Sequence, residues 1–165
     1  MKLRELKPGD APLMLEWMHD TDAVAHLQQN FGEKTLSDCE QFISDSMEEK
    51  DSLHLAIAGE NDTYMGTVSL KHLDRQYADA EFAIAIRRCA MGKGISAFAM
   101  EQILQIGFGG LGLKRIFWCV APENKRAVRF YEKGHYCRVN PAEVGADRYY
   151  SVEQMQKLLW YQKEA

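Results

Sequence analysis

The sequence predicts an α/β (α+β) fold, a mixed and mostly antiparallel central sheet flanked by helices on both faces. Three observations carry this. Strand-like runs over 53–58, 64–70 and 79–86 are separated by short polar breaks, and short connections join antiparallel neighbours. The stretch from 79 to 120 then reads strand, glycine loop, amphipathic helix, strand, which demands a parallel pair joined by a crossover. Finally, 165 residues without linker, repeat or low-complexity segment fit one domain spanning 1–165.

Each element follows from local pattern. Residues 2–6 alternate as a strand, and Pro8, Gly9 and Asp10 punctuate it, with Asp10 as a helix N-cap. Leu13, Met14, Trp17 and Met18 recur at helical spacing over 11–19, and a short helical stretch follows Asp22. Asn30, Phe31 and Gly32 form a loop. Ser37 caps a third helix carrying Phe42, Ile43 and Met47, whose first turn holds Asp38 and Glu40.

The strand 53–58 ends in the turn cluster 59–62, and the strand 64–70 ends near Asp74, Arg75 and Gln76. Beyond Gly92-Lys93-Gly94, Ile95, Phe98, Ala99, Ile103 and Ile106 line one stripe of a helix. Gly107, Gly109, Gly110 and Gly112 end it. Residues 116–120 read as a buried strand stopped by Ala121 and Pro122, residues 124–133 as a helix stopped by Gly134, and strand-like signals resume after Tyr136.

Composition narrows the function classes. With 24 acidic and 20 basic residues the net charge is −4, which argues against a nucleic-acid surface, although Lys125, Arg126 and Arg129 form a local basic patch. The charged opening Met1-Lys2-Leu3-Arg4-Glu5-Leu6 is no secretory signal, and no apolar run approaches the ~20 residues of a membrane span. Cys39, Cys89, Cys119 and Cys137 and the five histidines show no ligand spacing, so no metal is expected. Reduced thiols in a cytoplasmic protein are the simplest reading.

Two segments carry chemistry. The loop Arg87-Arg88-Cys89-Ala90-Met91-Gly92-Lys93-Gly94 leaves a strand and opens a helix, where glycines admit a ligand to the backbone and unpaired N–H groups suit an anion such as pyrophosphate. It lacks the spacing of the kinase-type phosphate loop and of the three-glycine dinucleotide fingerprint. Downstream stands Asn124-Lys125-Arg126-Ala127-Val128-Arg129-Phe130-Tyr131-Glu132-Lys133-Gly134-His135-Tyr136.

Together these segments resemble the GCN5-related N-acetyltransferase (GNAT) family, with its Arg/Gln-x-x-Gly-x-Gly/Ala loop and its later Asn-x-x-Ala-x-x-x-Tyr-x-x-x-Gly-Phe helix. The resemblance spans almost the whole chain, and Trp17-Met18-His19-Asp20 is similar to the start of the ribosomal-protein-acetylase-like branch. Cys89 departs from the pattern, standing where Arg or Gln is commonest, and Gly134-His135-Tyr136 replaces an apolar residue, Gly and Phe. The resemblance implies an acyl-CoA N-acyltransferase-like fold, acetyl-CoA as co-substrate and direct transfer to a primary amine.

It also implies roles. Backbone N–H groups around Met91, Gly92, Lys93, Gly94, Ile95 and Ser96 would hold the pyrophosphate, and Ile84 and Ile86 would bond to the pantetheine arm while packing in the core. Asn124 would bond to the same arm and Arg126 would reach phosphate. Tyr131 would protonate the departing thiolate, against the alternative of an aromatic filling the core. For Glu81 two readings stand side by side: a general base acting through water, or an ion pair with Arg87 or Lys71. Cys119 has no activating histidine in view and reads as core packing. The terminal Tyr149, Tyr150, Trp160 and Tyr161 are open to three uses: closing the sheet, lining the acceptor pocket or meeting a second copy in a homodimer.

The leading acceptor is a small amine-bearing metabolite, because a net charge of −4 offers no general attraction to a basic ribosomal partner. A protein N-terminus is the alternative within the family. A non-catalytic acyl-CoA-binding sensor is the rival from another class.

Overall fold

The computed structural model describes residues 1–165. Seven strands form one sheet: β1 (Lys2–Glu5), β2 (Leu53–Ala58), β3 (Tyr64–Asp74), β4 (Asp79–Ile86), β5 (Arg115–Val120), β6 (Cys137–Arg138) and β7 (Leu159–Glu164). Their spatial order is β1-β2-β3-β4-β5-β7-β6. Every neighbouring pair is antiparallel except β4 and β5, which the crossover makes parallel. The mixed sheet read from the sequence is therefore the sheet observed.

The helices are α1 (Ala11–Met18), α2 (Thr21–Val24), α3 (Leu36–Ser46), α4 (Ile95–Gln105), α5 (Lys125–Lys133) and α6 (Val152–Lys157). Two expected caps are corrected. Thr35, not Ser37, caps α3: its hydroxyl accepts from Asp38 N at 3.2 Å while Asp38 accepts from Thr35 N at 2.8 Å, a reciprocal box. Asp10 stands at the N-cap position of α1 but makes no side-chain cap bond there, because its carboxylate is spent on Arg4 at 2.8 and 2.9 Å and on Lys7 N at 2.8 Å. Two boundaries also move. β3 runs on to Asp74, since β4 supplies partners as far as Lys71↔Glu81 and Asp74↔Asp79, and α4 continues through one π turn over Ile106–Gly110 instead of stopping at Gly107.

Period-two alternation sorts the sheet residues into separate cores. Val68, Leu70, Phe82 and Trp118 face α4 and α5, and Ile95, Ala99 and Ile103 close that core. On the other face Ala56 and Tyr64 meet Met14 and Trp17 of α1 and Ile43 of α3. Farther along that face, Phe117 and Trp160 are covered by Val144 and Ala146 of the C-terminal segment. Each fully buried large apolar side chain stabilises the fold by about 1.5–3 kcal/mol. Between the last two cores, on the face carrying Glu81, the sheet comes apart.

Candidate active site

The opening is written in the strand register. β4 and β5 pair only at Asp79↔Arg115, Ala80↔Ile116 and Glu81↔Phe117. Beyond Glu81, β4 stays on β3 as far as Ile86↔Gly66, and β5 stays on β7 as far as Val120↔Leu159. The two strands thus diverge while each keeps its outer neighbour. The bond from Arg87 N to Met65 O, 2.9 Å, fixes the antiparallel alternation and turns the backbone groups of Ile84 and Ile86 away from β3, into the split. Their side chains also pack against the α4 core, so backbone and side chain serve different ends.

The glycine loop lies past the end of β4. Gly92 and Gly94 both have φ of +76°, a conformation that strains any side chain, and a Cβ on either would point into open space. The N–H groups of Gly92, Lys93 and Gly94 donate to no backbone carbonyl, and those of Ile95 and Ser96 belong to the first turn of α4. Met91 differs from expectation: its N–H is spent on Arg88 O at 3.1 Å. Arg88, one place before Cys89, is tied at 2.8 Å to Asp20 and at 2.9 Å to Asp22, which fastens the loop to the α1–α2 corner. That bond to Arg88 lowers the Asp20 carboxyl to about 2.

Two connected spaces meet at the split. A groove of about 520 Å³ runs past Ile84, Ile86, Met91, Ser96, Asn124 and Arg126. A cavity of about 380 Å³ lies deeper and carries Glu81, Cys119, Tyr131 and Tyr150 in its wall. Ile84, Asn124 and Tyr131 border both. Asn124 caps α5 by accepting from Ala127 N at 3.3 Å, which leaves its amide nitrogen with no partner in the protein. A groove with orphan N–H groups at a helix start, free strand backbone along its side and an exposed arginine at its rim fits a pyrophosphate followed by an amide-bearing arm.

Glu81 is 2% exposed. Of its two suggested ion-pair partners, Arg87 goes instead to Glu16 at 3.1 Å, and Lys71 stands 3.8 Å from Glu81 Oε1. Tyr150 donates to the same oxygen, and the Cys119 thiol lies 4.0 Å away. Glu81 Oε2 is buried with no hydrogen-bond partner, its nearest cationic candidate being His72 Nε2 at 3.8 Å. Such an oxygen is costly to leave unpaired, and Glu81 lies in the cavity wall.

Tyr150 reaches Glu81 because the C-terminal segment is clamped. Arg148 bonds Asp79 at 2.6 and 3.1 Å and Asp74 at 3.0 Å, and Asp79 is fully buried. Asp79 and Glu81 stand two positions apart on one face of β4, matching Arg148 and Tyr150 two positions apart on the segment. Burial first, and the neighbouring Glu81 carboxylate with it, push the Tyr150 phenol upward and keep it a neutral donor. Sequence reasoning left Tyr150 unassigned and missed His72, which stacks on Tyr149 with ring centroids 3.9 Å apart. The Tyr149-Tyr150 pair was the available signal, but nothing in spacing ties it to residue 81.

Tyr131 comes from the other side of the sheet. It is buried among Trp118, Tyr136 and Tyr161, yet borders both spaces, so packing and access coexist. Burial raises its phenol well above the usual range, so the proton stays on. Burial first, and the Glu81 charge second, push the Cys119 thiol up to about 12, which leaves a thiol and no nucleophile.

A split sheet with free strand backbone along the opening, orphan N–H groups at the start of the next helix and a carboxylate and a phenol in the wall of one cavity are an arrangement suited to acyl transfer. The acetyltransferase (GNAT) domain matches residues 1–136, and the chain belongs to that family, as an N-acetyltransferase using acetyl-CoA. It is 26% identical over 132 residues to the uncharacterized N-acetyltransferase p20 of Bacillus licheniformis, covering 78% of this chain and 74% of that protein. It is 29% identical over 140 residues to the spermidine N(1)-acetyltransferase of Escherichia coli (strain K12), covering 81% of this chain and 70% of that one. The spermidine N-acetyltransferase from Vibrio cholerae, solved in complex with CoA and spermine, superposes with a TM-score of 0.82 over 99% of this chain and 94% of its own at 20% identity, a likeness of fold.

Proposed function

We propose that the chain acetylates the primary amine of a small molecule by direct transfer, with Glu81 as base and Tyr131 as acid. The observation that carries this is Glu81 Oε2, buried without a hydrogen-bond partner in the wall of the cavity that Tyr131 also borders. The amine enters as an ammonium and gives one proton toward Glu81, directly or through a water. The neutral nitrogen attacks the thioester carbonyl, the new N–C bond forms and the C–S bond breaks; the sulfur takes its proton from Tyr131, and the second proton that the nitrogen loses restores the Tyr131 phenol through water. Backbone N–H near Ile84 stabilises the oxygen as charge develops.

The remaining site residues hold the donor. Gly92, Lys93, Gly94, Ile95 and Ser96 supply N–H groups to the pyrophosphate, Arg126 adds charge, and Ile84, Ile86 and Asn124 align the arm. The aligned pair reacts as neighbours. The amine specificity that the names of the spermidine relatives state supports a small amine over a protein N-terminus.

Free-thiol release from acetyl-CoA over a panel of amino sugars, amino acids, polyamines and N-terminal peptides tests the reading. Glu81→Gln should lower kcat by about a hundredfold or more, with partial recovery at high pH where the amine is already neutral. A peptide preference of about a hundredfold in kcat/KM would overturn the small-amine choice.

A further inference from the structure

The acceptor side of the cavity carries a charge pattern that discriminates among amines. Its floor is a grid set by the registers His54↔Ser69, Ser69↔Ala83, Thr67↔Ala85 and Lys71↔Glu81. Ala83 and Ala85 keep that floor low, leaving depth for a substrate body. The roof is apolar where Met14, Trp17, Met18 and Phe42 form it, and exposed polar side chains, among them His26, Gln28 and Gln29, rim it. Its formal charges balance: Asp38 and Glu81 face Lys34 and Lys71, and Lys71 already stands 3.8 Å from Glu81.

A polyamine brings two or more ammonium groups. One is consumed at Glu81, and each of the others needs its own carboxylate or ring of carbonyls. Leaving an ammonium desolvated and unpaired costs several kcal/mol. Cation–π contacts with the aromatic wall return only about 0.5–2 kcal/mol. The other carboxylate, Asp38, already accepts from Thr35 N at 2.8 Å and from Thr35 Oγ1 at 3.0 Å and feels the Lys34 charge. The second ammonium therefore finds no unengaged carboxylate, and the two lysines add repulsion. An apolar body, in contrast, gains about 25 cal/mol per Å² of surface removed from water against this roof.

We infer that the acceptor is a primary monoamine with an apolar, ring-bearing or branched body, and that polyamines are poor substrates. This rests on the amine-acetyltransferase reading above. It runs against what the names of the spermidine relatives would suggest, because here the groups facing the cavity set the preference.

The test compares kcat/KM for 2-phenylethylamine and spermidine at saturating acetyl-CoA, on the full chain, with thermal stabilisation by acetyl-CoA measured in parallel. The aromatic monoamine should be preferred by about tenfold or more. Lys34→Glu should narrow that gap by raising kcat/KM for spermidine severalfold. Equal or better turnover of spermidine by the wild type overturns the inference. So does an unmoved ratio in Lys34→Glu, or no turnover of 2-phenylethylamine by a chain that acetyl-CoA stabilises. Loss of acetyl-CoA binding itself strikes at the acetyltransferase reading beneath.

Discussion

Tyr150 donates to Glu81 while Arg148, two residues earlier, grips Asp79, two residues before Glu81. The C-terminal segment thereby holds β4 at two matched points, one structural and one beside the proposed base. Removing the hydroxyl with Tyr150→Phe takes away one charge-assisted hydrogen bond, worth about 1.5–3 kcal/mol, and frees the carboxylate to turn. Tyr150→Phe should therefore lower kcat by about ten- to a hundredfold, with acetyl-CoA affinity unchanged by calorimetry. An unaltered kcat, with chemistry shown to be rate-limiting, would make the bond incidental.

Arg148→Met tests the other point. Asp79 is fully buried and would keep only Arg115, at 3.1 Å. Breaking a buried pair costs about 3–5 kcal/mol, and the remaining arginine sets the expected loss at the lower end. Urea unfolding should show it as a shifted midpoint with the same slope. A change below about 0.5 kcal/mol would place the clamp among ordinary surface contacts.

Tyr131→Phe removes the proton donor while keeping the ring that packs on Trp118 and Tyr161. Turnover should fall by about a hundredfold and the acetyl-CoA dissociation constant should move by less than about threefold. The pH sign follows from the raised phenol: the protonated form persists through its ordinary titration range and is lost only above it. Wild-type kcat should therefore show no alkaline fall assignable to this residue between about pH 8 and 10.

Cys119 stands 4.0 Å from Glu81 and invites a covalent reading that its raised pKa opposes. Alkylation near pH 8 should modify the exposed Cys89 and Cys137 and spare Cys119 and the buried Cys39, as peptide mapping by mass spectrometry would show. Cys119→Ala should retain at least about a third of wild-type turnover, and initial rates should follow a sequential pattern with no acetyl-enzyme. A ping-pong pattern that disappears in Cys119→Ala would reverse the assignment.

The crossover and its loop were legible because their residues are local. Strand 79–86, Gly92, Gly94 and the stripe of α4 lie in one continuous stretch, where period and punctuation speak directly. The helix of α5 and its start at Asn124 were legible in the same way, whereas roles for Asn124 and Tyr131 came only from the resemblance to the family motif. What stayed hidden depends on long-range geometry. The partner of Glu81 was reduced to Lys71 or Arg87 because the sequence does not say that Tyr150 returns to this strand. Arg87 was lost to Glu16 and Asp10 to Arg4, in both cases to a carboxylate–guanidinium pair that local propensity cannot anticipate. Thr35 displaced Ser37 as cap within the tolerance of any boundary read from local pattern.

Acetyl transfer from acetyl-CoA to a primary amine beside Glu81 leaves a product of defined mass. Product mass spectrometry under single-turnover conditions, with wild-type and Glu81→Gln chains run side by side, tests it most directly. The wild type should give an amine carrying one added acetyl group and an equal amount of free CoA, and Glu81→Gln should form them about a hundredfold more slowly although both chains bind acetyl-CoA equally. Bound acetyl-CoA left intact by the wild type across the amine panel, or equal rates from the two chains, would contradict it.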